Sequence, residues 1–120
     1  MGYIRKNGVV VHADPPAKTR LRAYGQQTLV NNYGNMNTGN PYQFAMPFNG
    51  IVHVCFQRGG NGNTVTISVD GVDVAHYSTY SSWSAGVLTA FAGAGQTVRV
   101  RTDGGPFYIN KISAQALVLE

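Results

Sequence analysis

Apolar residues in this chain recur at every second position, and no segment of helical length carries an apolar period of 3.6 residues. Thr64-Val65-Thr66-Ile67-Ser68-Val69 alternates without a break. Val65, Ile67 and Val69 are therefore expected on one face of a strand and three hydroxyls on the other. Asp70-Gly71 follows, and then Val72-Asp73-Val74. Asp-Gly between two alternating runs is a strong hairpin signal, because a type I′ turn requires positive φ at both central residues. Thr97-Val98-Arg99-Val100-Arg101 alternates in the same way, with the valines facing a core and the arginines facing out. Leu21 and Ala23 alternate with Arg20, Arg22 and Tyr24 in the same way and are expected to face inward, and Ala116-Leu117-Val118-Leu119 reads as a final buried or interface strand.

Turn signals punctuate these runs: Asn7-Gly8, Tyr33-Gly34-Asn35, Gly39-Asn40-Pro41, Asn49-Gly50, Gly59-Gly60-Asn61-Gly62, Gly93-Ala94-Gly95 and Asp103-Gly104-Gly105-Pro106. Strand-sized runs at this spacing predict an all-β sandwich or barrel of about eight to ten strands. The strands are expected near 9–13, 19–24, 27–31, 42–46, 50–57, 64–69, 72–78, 85–91, 96–102 and 107–118. So many strands in 120 residues fit a single jelly-roll domain. Asp14-Pro15-Pro16 should divide an N-terminal arm, residues 1–18, from a jelly-roll body, residues 19–120, since proline cannot donate to a ladder. Residues 31–41 are too polar for a core and read as an exposed loop.

Charge is sparse and unevenly placed. Charged residues make up 12% of the chain, against roughly 25% in an average soluble domain. The net charge is +4. Arg5, Lys6, Lys18, Arg20 and Arg22 fall in the first 22 residues with only Asp14 against them. That basic segment is a candidate docking element for an acidic surface, or else a solvated tail. Nucleic acid is the weaker partner, because aromatic residues are not interleaved with these basic ones as stacking platforms require. No apolar run approaches the length of a membrane helix, and no secretory leader precedes the body, so synthesis in a cytoplasm without export by that route is the expectation.

No catalytic, cofactor or metal motif is legible. The five carboxylates are Asp14, Asp70, Asp73, Asp103 and Glu120, and each of the four aspartates has a turn or cap explanation. Asp70 and Asp73 lie near one turn but lack calcium-loop spacing. His12, His53 and His76 are widely separated, with no ligand spacing. The Gly59–Asn63 run leads into a strand and so lacks the helix N-terminus of a phosphate site. The lone Cys55 excludes an internal disulfide and reads as a buried structural thiol. Tyr77, Tyr80 and Trp83, set among serines and threonines, are candidate receptor or glycan contacts, with aromatics folded back on the sandwich as the alternative.

Phe44-Ala45-Met46-Pro47-Phe48-Asn49-Gly50 followed by the strand Ile51–Val54 resembles the signature of the tumour-necrosis-factor-like jelly roll, which includes the globular heads of complement proteins. Thr64 to Gly71 is similar to that family's hairpin, and Ala92 to Val98 to the approach to its next strand. The resemblance spans roughly residues 42–118. Val52 stands where the family often has an aromatic, Gln96 where it often has an acid, and Ile112-Ser113-Ala114 where it usually has Phe-Ser-Gly. The resemblance implies a homotrimer, for which Tyr108, Ile112, Leu117 and Leu119 are candidate interface residues, with ordinary core as the alternative for each.

A chain with its own initiator Met, no export signal and a fold similar to extracellular recognition modules is expected to be a complete small virion protein of a bacteriophage. Capsid decoration or a tail-tip or fibre knob suits that combination: a non-enzymatic trimer made in the host cytoplasm and docked by its basic arm on other virion proteins. A carbohydrate- or receptor-binding module is the alternative.

Overall fold

The computed structural model describes the backbone of residues 3–6 and 9–13, and residues 20–57, 62–79 and 85–120 in full. Ten strands lie among them: β1 (Tyr3–Lys6), β2 (Val9–Ala13), β3 (Leu21–Met36), β4 (Tyr42–Ala45), β5 (Gly50–Gln57), β6 (Thr64–Val69), β7 (Val72–Ser78), β8 (Ala85–Ala92), β9 (Thr97–Asp103) and β10 (Phe107–Leu119). β1 and β2 pair with each other in a two-stranded sheet of their own, Tyr3 opposite Ala13 and Lys6 opposite Val9.

The other eight strands form two four-stranded antiparallel sheets, ordered β3-β10-β5-β8 and β4-β9-β6-β7. The pairing is nested. β6 pairs with β7, β5 with β8, β4 with β9 and β3 with β10, the first of the eight with the last. A long hairpin rolled up in this way is a jelly roll.

At the tip of the innermost hairpin, Asp70 and Gly71 have φ of 49° and 83°. Val69 faces Val72 across them, which is the type I′ geometry that Asp-Gly predicts. The core lies between the sheets and contains Val52, Val54 and Phe56 from β5, Val65, Ile67 and Val69 from β6, Val98 and Val100 from β9, and Phe107, Ile109, Ile112 and Ala114 from β10. Phe56 meets Phe107 edge to face at 5.4 Å between ring centres. Gly50 of the Phe44–Gly50 motif sits where β10 passes closest, and a Cβ there would run into the Gln115 carbonyl.

Two expectations need correction. The strands placed at 19–24 and 27–31 are one 16-residue strand, β3. The expected loop at 31–41 is strand as far as Met36, which is fully buried. Only 37–41 turns, held by the Asn37 and Asn40 side chains. On the hydroxyl face of β6, Thr66 and Ser68 are buried. Arg101 on β9 stands opposite Thr66, and Asp73 on β7 stands opposite Ser68. Their bidentate pair, at 2.7 and 2.9 Å, therefore bridges over β6 and covers it.

β3 reaches its length by bulging. Its pairing with β10 shifts register at three places, each inserting one extra residue on β3. Two of its residues, Asn32 and Gly34, have positive φ. β10 in turn carries an extra residue relative to β5 between Ile109 and Lys111. That bulge reverses the inward parity of β10, from Phe107 and Ile109 to Ile112 and Ala114.

Candidate assembly surface

One face of the β3-β10-β5-β8 sheet covers the core and the other is open. On the open face β8 presents Val87, Thr89 and Phe91, and β5 presents Ile51, His53 and Cys55. Phe91 is 73% exposed and Val87 59% exposed. Cross-strand pairing sets Phe91 beside Ile51 and Val87 beside Cys55, with the Thr89–His53 pair between them. Ile51, His53, Val74, Thr89, Ala90 and Phe91 line a depression of about 510 Å³ at its lower end. Val74 comes from β7, where it is the extra residue of a bulge between Ile67 and Ser68. Val72 and Val74 are themselves 63% and 49% exposed, which carries the apolar surface around the corner of the sandwich.

Towards β3 the face turns polar and is tied together by side chains. Tyr108 donates to Asn32 Oδ1 at 2.6 Å, Ser113 to Gln26 Oε1 at 2.9 Å, and Gln115 Nε2 to the Tyr24 carbonyl at 2.8 Å. His53 Nε2 lies 3.2 Å from Gln115 Oε1. Lys111, opposite Cys55, brings a positive charge to this face.

Below the sandwich, the ends of β3 and β10 run on as a two-stranded ribbon. Ala116 is the last β10 residue paired with β5, whereas pairing with β3 continues to Leu119 opposite Leu21. The pairs Leu21–Leu119 and Ala23–Leu117 share one face of this ribbon, and Arg22 and Val118 share the other. Leu21 is 69% and Leu119 50% exposed. On the opposite face Arg22 meets Glu120 at 3.2 Å and lies over the Tyr24 ring at 5.0 Å.

Of the predicted interface residues, Tyr108 lies on the outer face of β10, and Leu117 and Leu119 lie on the ribbon. Ile112 does not join them. It is fully buried in the protomer's own core and has no surface to offer a second copy. Four positions apart on a regular strand, Tyr108 and Ile112 would share a face, and the bulge after Ile109 separates them. The reading of Leu21 as an inward residue fails too, because β3 leaves the sandwich before reaching it. Cys55 is half-buried on the open face and not in the core. Tyr77 is 41% exposed with its ring 5.2 Å from Phe56, while Tyr80 and Trp83 lie outside the described residues. Arg20 and Arg22 are exposed at the ribbon end. Lys18 and the side chains of Arg5 and Lys6 lie outside what the structure describes.

The carboxylates near the Asp-Gly turn are engaged. Asp70 accepts from Thr97 N at 2.8 Å and Gln96 Nε2 at 3.0 Å, fastening the β6–β7 hairpin to β9. The Gln96 side-chain oxygen in turn accepts from Gly93 N. Hydrogen bonding and charge from Arg101 hold Asp73 below the ordinary carboxylate range and raise the guanidinium. Among the described residues no group of three or more His, Cys, Asp or Glu side chains converges on one point.

No family profile matches the sequence, and no curated protein matches it. Among solved structures, the chain is similar to the native structure of a family 35 carbohydrate-binding module from Clostridium thermocellum. Identity is 15%, over 83% of this chain and 92% of that one, with a TM-score of 0.36.

Sequence reasoning passed over Phe91, Val87 and Ile51. The signal was present: β5 and β8 are apolar at both parities, as strands covered on both faces are. A two-layer sandwich covers only one face, and the second apolar set includes the exposed Val87 and Phe91.

Proposed function

We propose that this chain is a non-enzymatic structural subunit that assembles as a homotrimer in a bacteriophage virion, as a capsid-decoration or tail-tip protein. The observation that carries the assembly reading is the open face of β5 and β8, where Phe91 and Val87 are the most exposed apolar residues. Large apolar side chains clustered on a sheet face cost solvation when left in water, and clusters of this kind mark interaction surfaces. The trimer rests on the resemblance of Phe44–Gly50 and the Asp70-Gly71 hairpin to the tumour-necrosis-factor-like jelly rolls. The virion rests on that resemblance together with a basic N-terminal segment. Arg5, Lys6, Lys18, Arg20 and Arg22 are the residues assigned to docking on other virion proteins.

Light scattering tests the assembly reading directly. The expected mass is three times the 12.9 kDa of one chain. A strict monomer at tens of micromolar, with no association with purified particles, overturns it. Electron microscopy of the particle locates the subunit.

A second reading, binding of a glycan or receptor, is favoured by one observation: the depression sets the exposed Phe91 ring beside the polar groups of His53 and Thr89. An aromatic platform edged by hydrogen-bonding groups suits a sugar ring. Under this reading Tyr77, Tyr80 and Trp83 form a second contact region. A glycan array separates the two, since binding lost on Phe91→Ala in a protein that stays monomeric supports the sugar and not the subunit.

A further inference from the structure

Each four-stranded sheet ends in two edge strands, whose outward backbone N–H and C=O groups are open to pairing with another chain. Three of the four edges are blunted. β3 is bulged three times and takes positive φ at Asn32 and Gly34. β4 has only four residues, with Pro41 before it and Pro47 after it. β7 is bulged at Val74 and carries Asp73, ion-paired to Arg101.

β8 lacks all of these devices. It pairs with β5 along its whole length, Ala85 to Ala92, without a shift of register. It contains no proline and no charged side chain. Among the described residues no strand lies on its other side, and no turn or loop backbone bonds to it. A regular, uncharged edge of this length is a template for strand addition.

The strand that fits this edge is β8 itself. A twofold axis normal to the sheet keeps the outer face of one copy continuous with the outer face of the other, so outward residues meet outward residues and inward meet inward. Centred on Thr89, the axis pairs every residue from Gly86 to Ala92 with one of the second copy. On the outer face Val87 of each copy meets Phe91 of the other, and Thr89 meets Thr89. On the inner face Leu88 meets Ala90 and Gly86 meets Ala92, so no two large residues collide. Aromatic with β-branched, and Thr with Thr, are among the cross-strand pairs that stabilise a sheet. Moving the axis to Leu88 or Ala90 sets Phe91 against Ala85 or Thr89 and loses both Val87–Phe91 pairs. We infer that β8 pairs antiparallel with β8 of a second copy about a twofold axis at Thr89, joining two sandwiches through one continuous sheet. Val87 and Phe91, the most exposed side chains of the strand, then cover each other. The joint uses the edge of the sheet, is additional to the threefold contact proposed above and does not rest on it.

A charge swap at position 89 tests it, because that residue faces only its own copy. Thr89 is exposed in the protomer, so Thr89→Lys and Thr89→Glu should both keep the wild-type circular dichroism spectrum. Each alone sets like charges against each other at the axis and should weaken the pairing on the order of a hundredfold. An equimolar mixture of the two should recover it through Lys–Glu pairs, and a mixture that stays apart overturns the joint. In sedimentation, wild type should run as pairs of whatever unit the threefold contact builds: two copies if none forms, six or more if trimers form. Two copies support the joint and overturn the trimer. Three copies, unchanged by Thr89→Lys, overturn the joint and keep the trimer, and a wild-type monomer overturns both. Cysteines in a Cys55→Ser background check the register. Thr89→Cys should oxidise to a covalent dimer, whereas Val87→Cys and Phe91→Cys should crosslink only when mixed. Crosslinking of Phe91→Cys with itself, or none at Thr89→Cys, overturns pairing centred on Thr89.

Discussion

Replacing Ile112 by alanine separates the two places this residue could occupy. If β10 alternated regularly, Ile112 would lie beside Tyr108 on the outer face, and its loss would weaken assembly while leaving the protomer nearly as stable as before. In the structure it is fully buried, opposite Val54 on one side and Val30 on the other. Truncating a buried isoleucine costs about 2–5 kcal/mol from lost transfer energy and the cavity left behind. A site in the second layer of a central strand, hydrogen-bonded to neighbours on both sides, has little freedom to collapse, so about 3 kcal/mol is expected. For a domain of this size that corresponds to a fall in melting temperature of roughly 12 °C, and it is a large share of the ~5–15 kcal/mol available. The assay is urea unfolding followed by circular dichroism, run on Phe91→Asp and on the Phe91→Asp, Ile112→Ala double variant. That background keeps subunit association out of the comparison. A loss below about 1 kcal/mol would refute the bulge-based parity and return Ile112 to the surface.

Gly50→Ala should cost at least about 2 kcal/mol, because the added methyl meets backbone and not a movable side chain. Hydrogen exchange should show protection lost first where β10 passes Gly50, at Ala116 and Leu117. Asp70→Ala removes the acceptor of two hydrogen bonds and a residue that tolerates φ of 49°, so a loss of about 1–2 kcal/mol is expected in denaturant unfolding. Asp70→Asn should recover part of it, since asparagine also tolerates positive φ and retains one acceptor oxygen. The Asp73 carboxyl is held below its ordinary 3.8 by the Arg101 hydrogen bond, so its contribution is fully present above that value and disappears as pH falls through the lower, folded value. Asp73→Asn should therefore lower the melting temperature at neutral pH. The gap to wild type should close in acid, and a gap that persists at pH ~2 would rule out this linkage.

Much of the fold was legible because regular strands write their geometry into the sequence. The run Thr64–Val69, the Asp70-Gly71 turn and the Val98–Val100 pair each lie as the alternation requires. Reading failed where the ladder is irregular. β3 looked like two strands and a loop because its outer half has no core to face, and Gly25, Gln26 and Gln27 are therefore polar. Its inner half keeps Asn31, Asn32 and Gly34 for bulges that an alternation test reads as a break. For Ile112 the choice between interface and core stayed open in the sequence, because one inserted residue reverses parity for everything beyond it. Cover supplied from a distance was equally hidden: the Arg101–Asp73 pair lies over Thr66 and Ser68 through residues 28 apart in the chain. The apolar face was legible in principle, since β5 and β8 are apolar at both parities.

The nesting of the strands also dictates an order of events during synthesis. The β6–β7 hairpin lies at the middle of the chain and needs only its own two strands, whereas β3 must wait for β10, with Arg22 and Glu120 separated by 98 positions. β10 leaves the ribosome after both of its partners, and it occupies the place between β3 and β5. Until it arrives, β5 has one bare edge and β3 has no partner, so the sheet that carries the apolar outer face is the one that stays incomplete longest. Pairing between such distant segments is slow, and unpaired apolar strands are prone to pair with other chains. Yield of soluble protein should thus respond more to slower elongation and lower temperature than its modest size alone suggests.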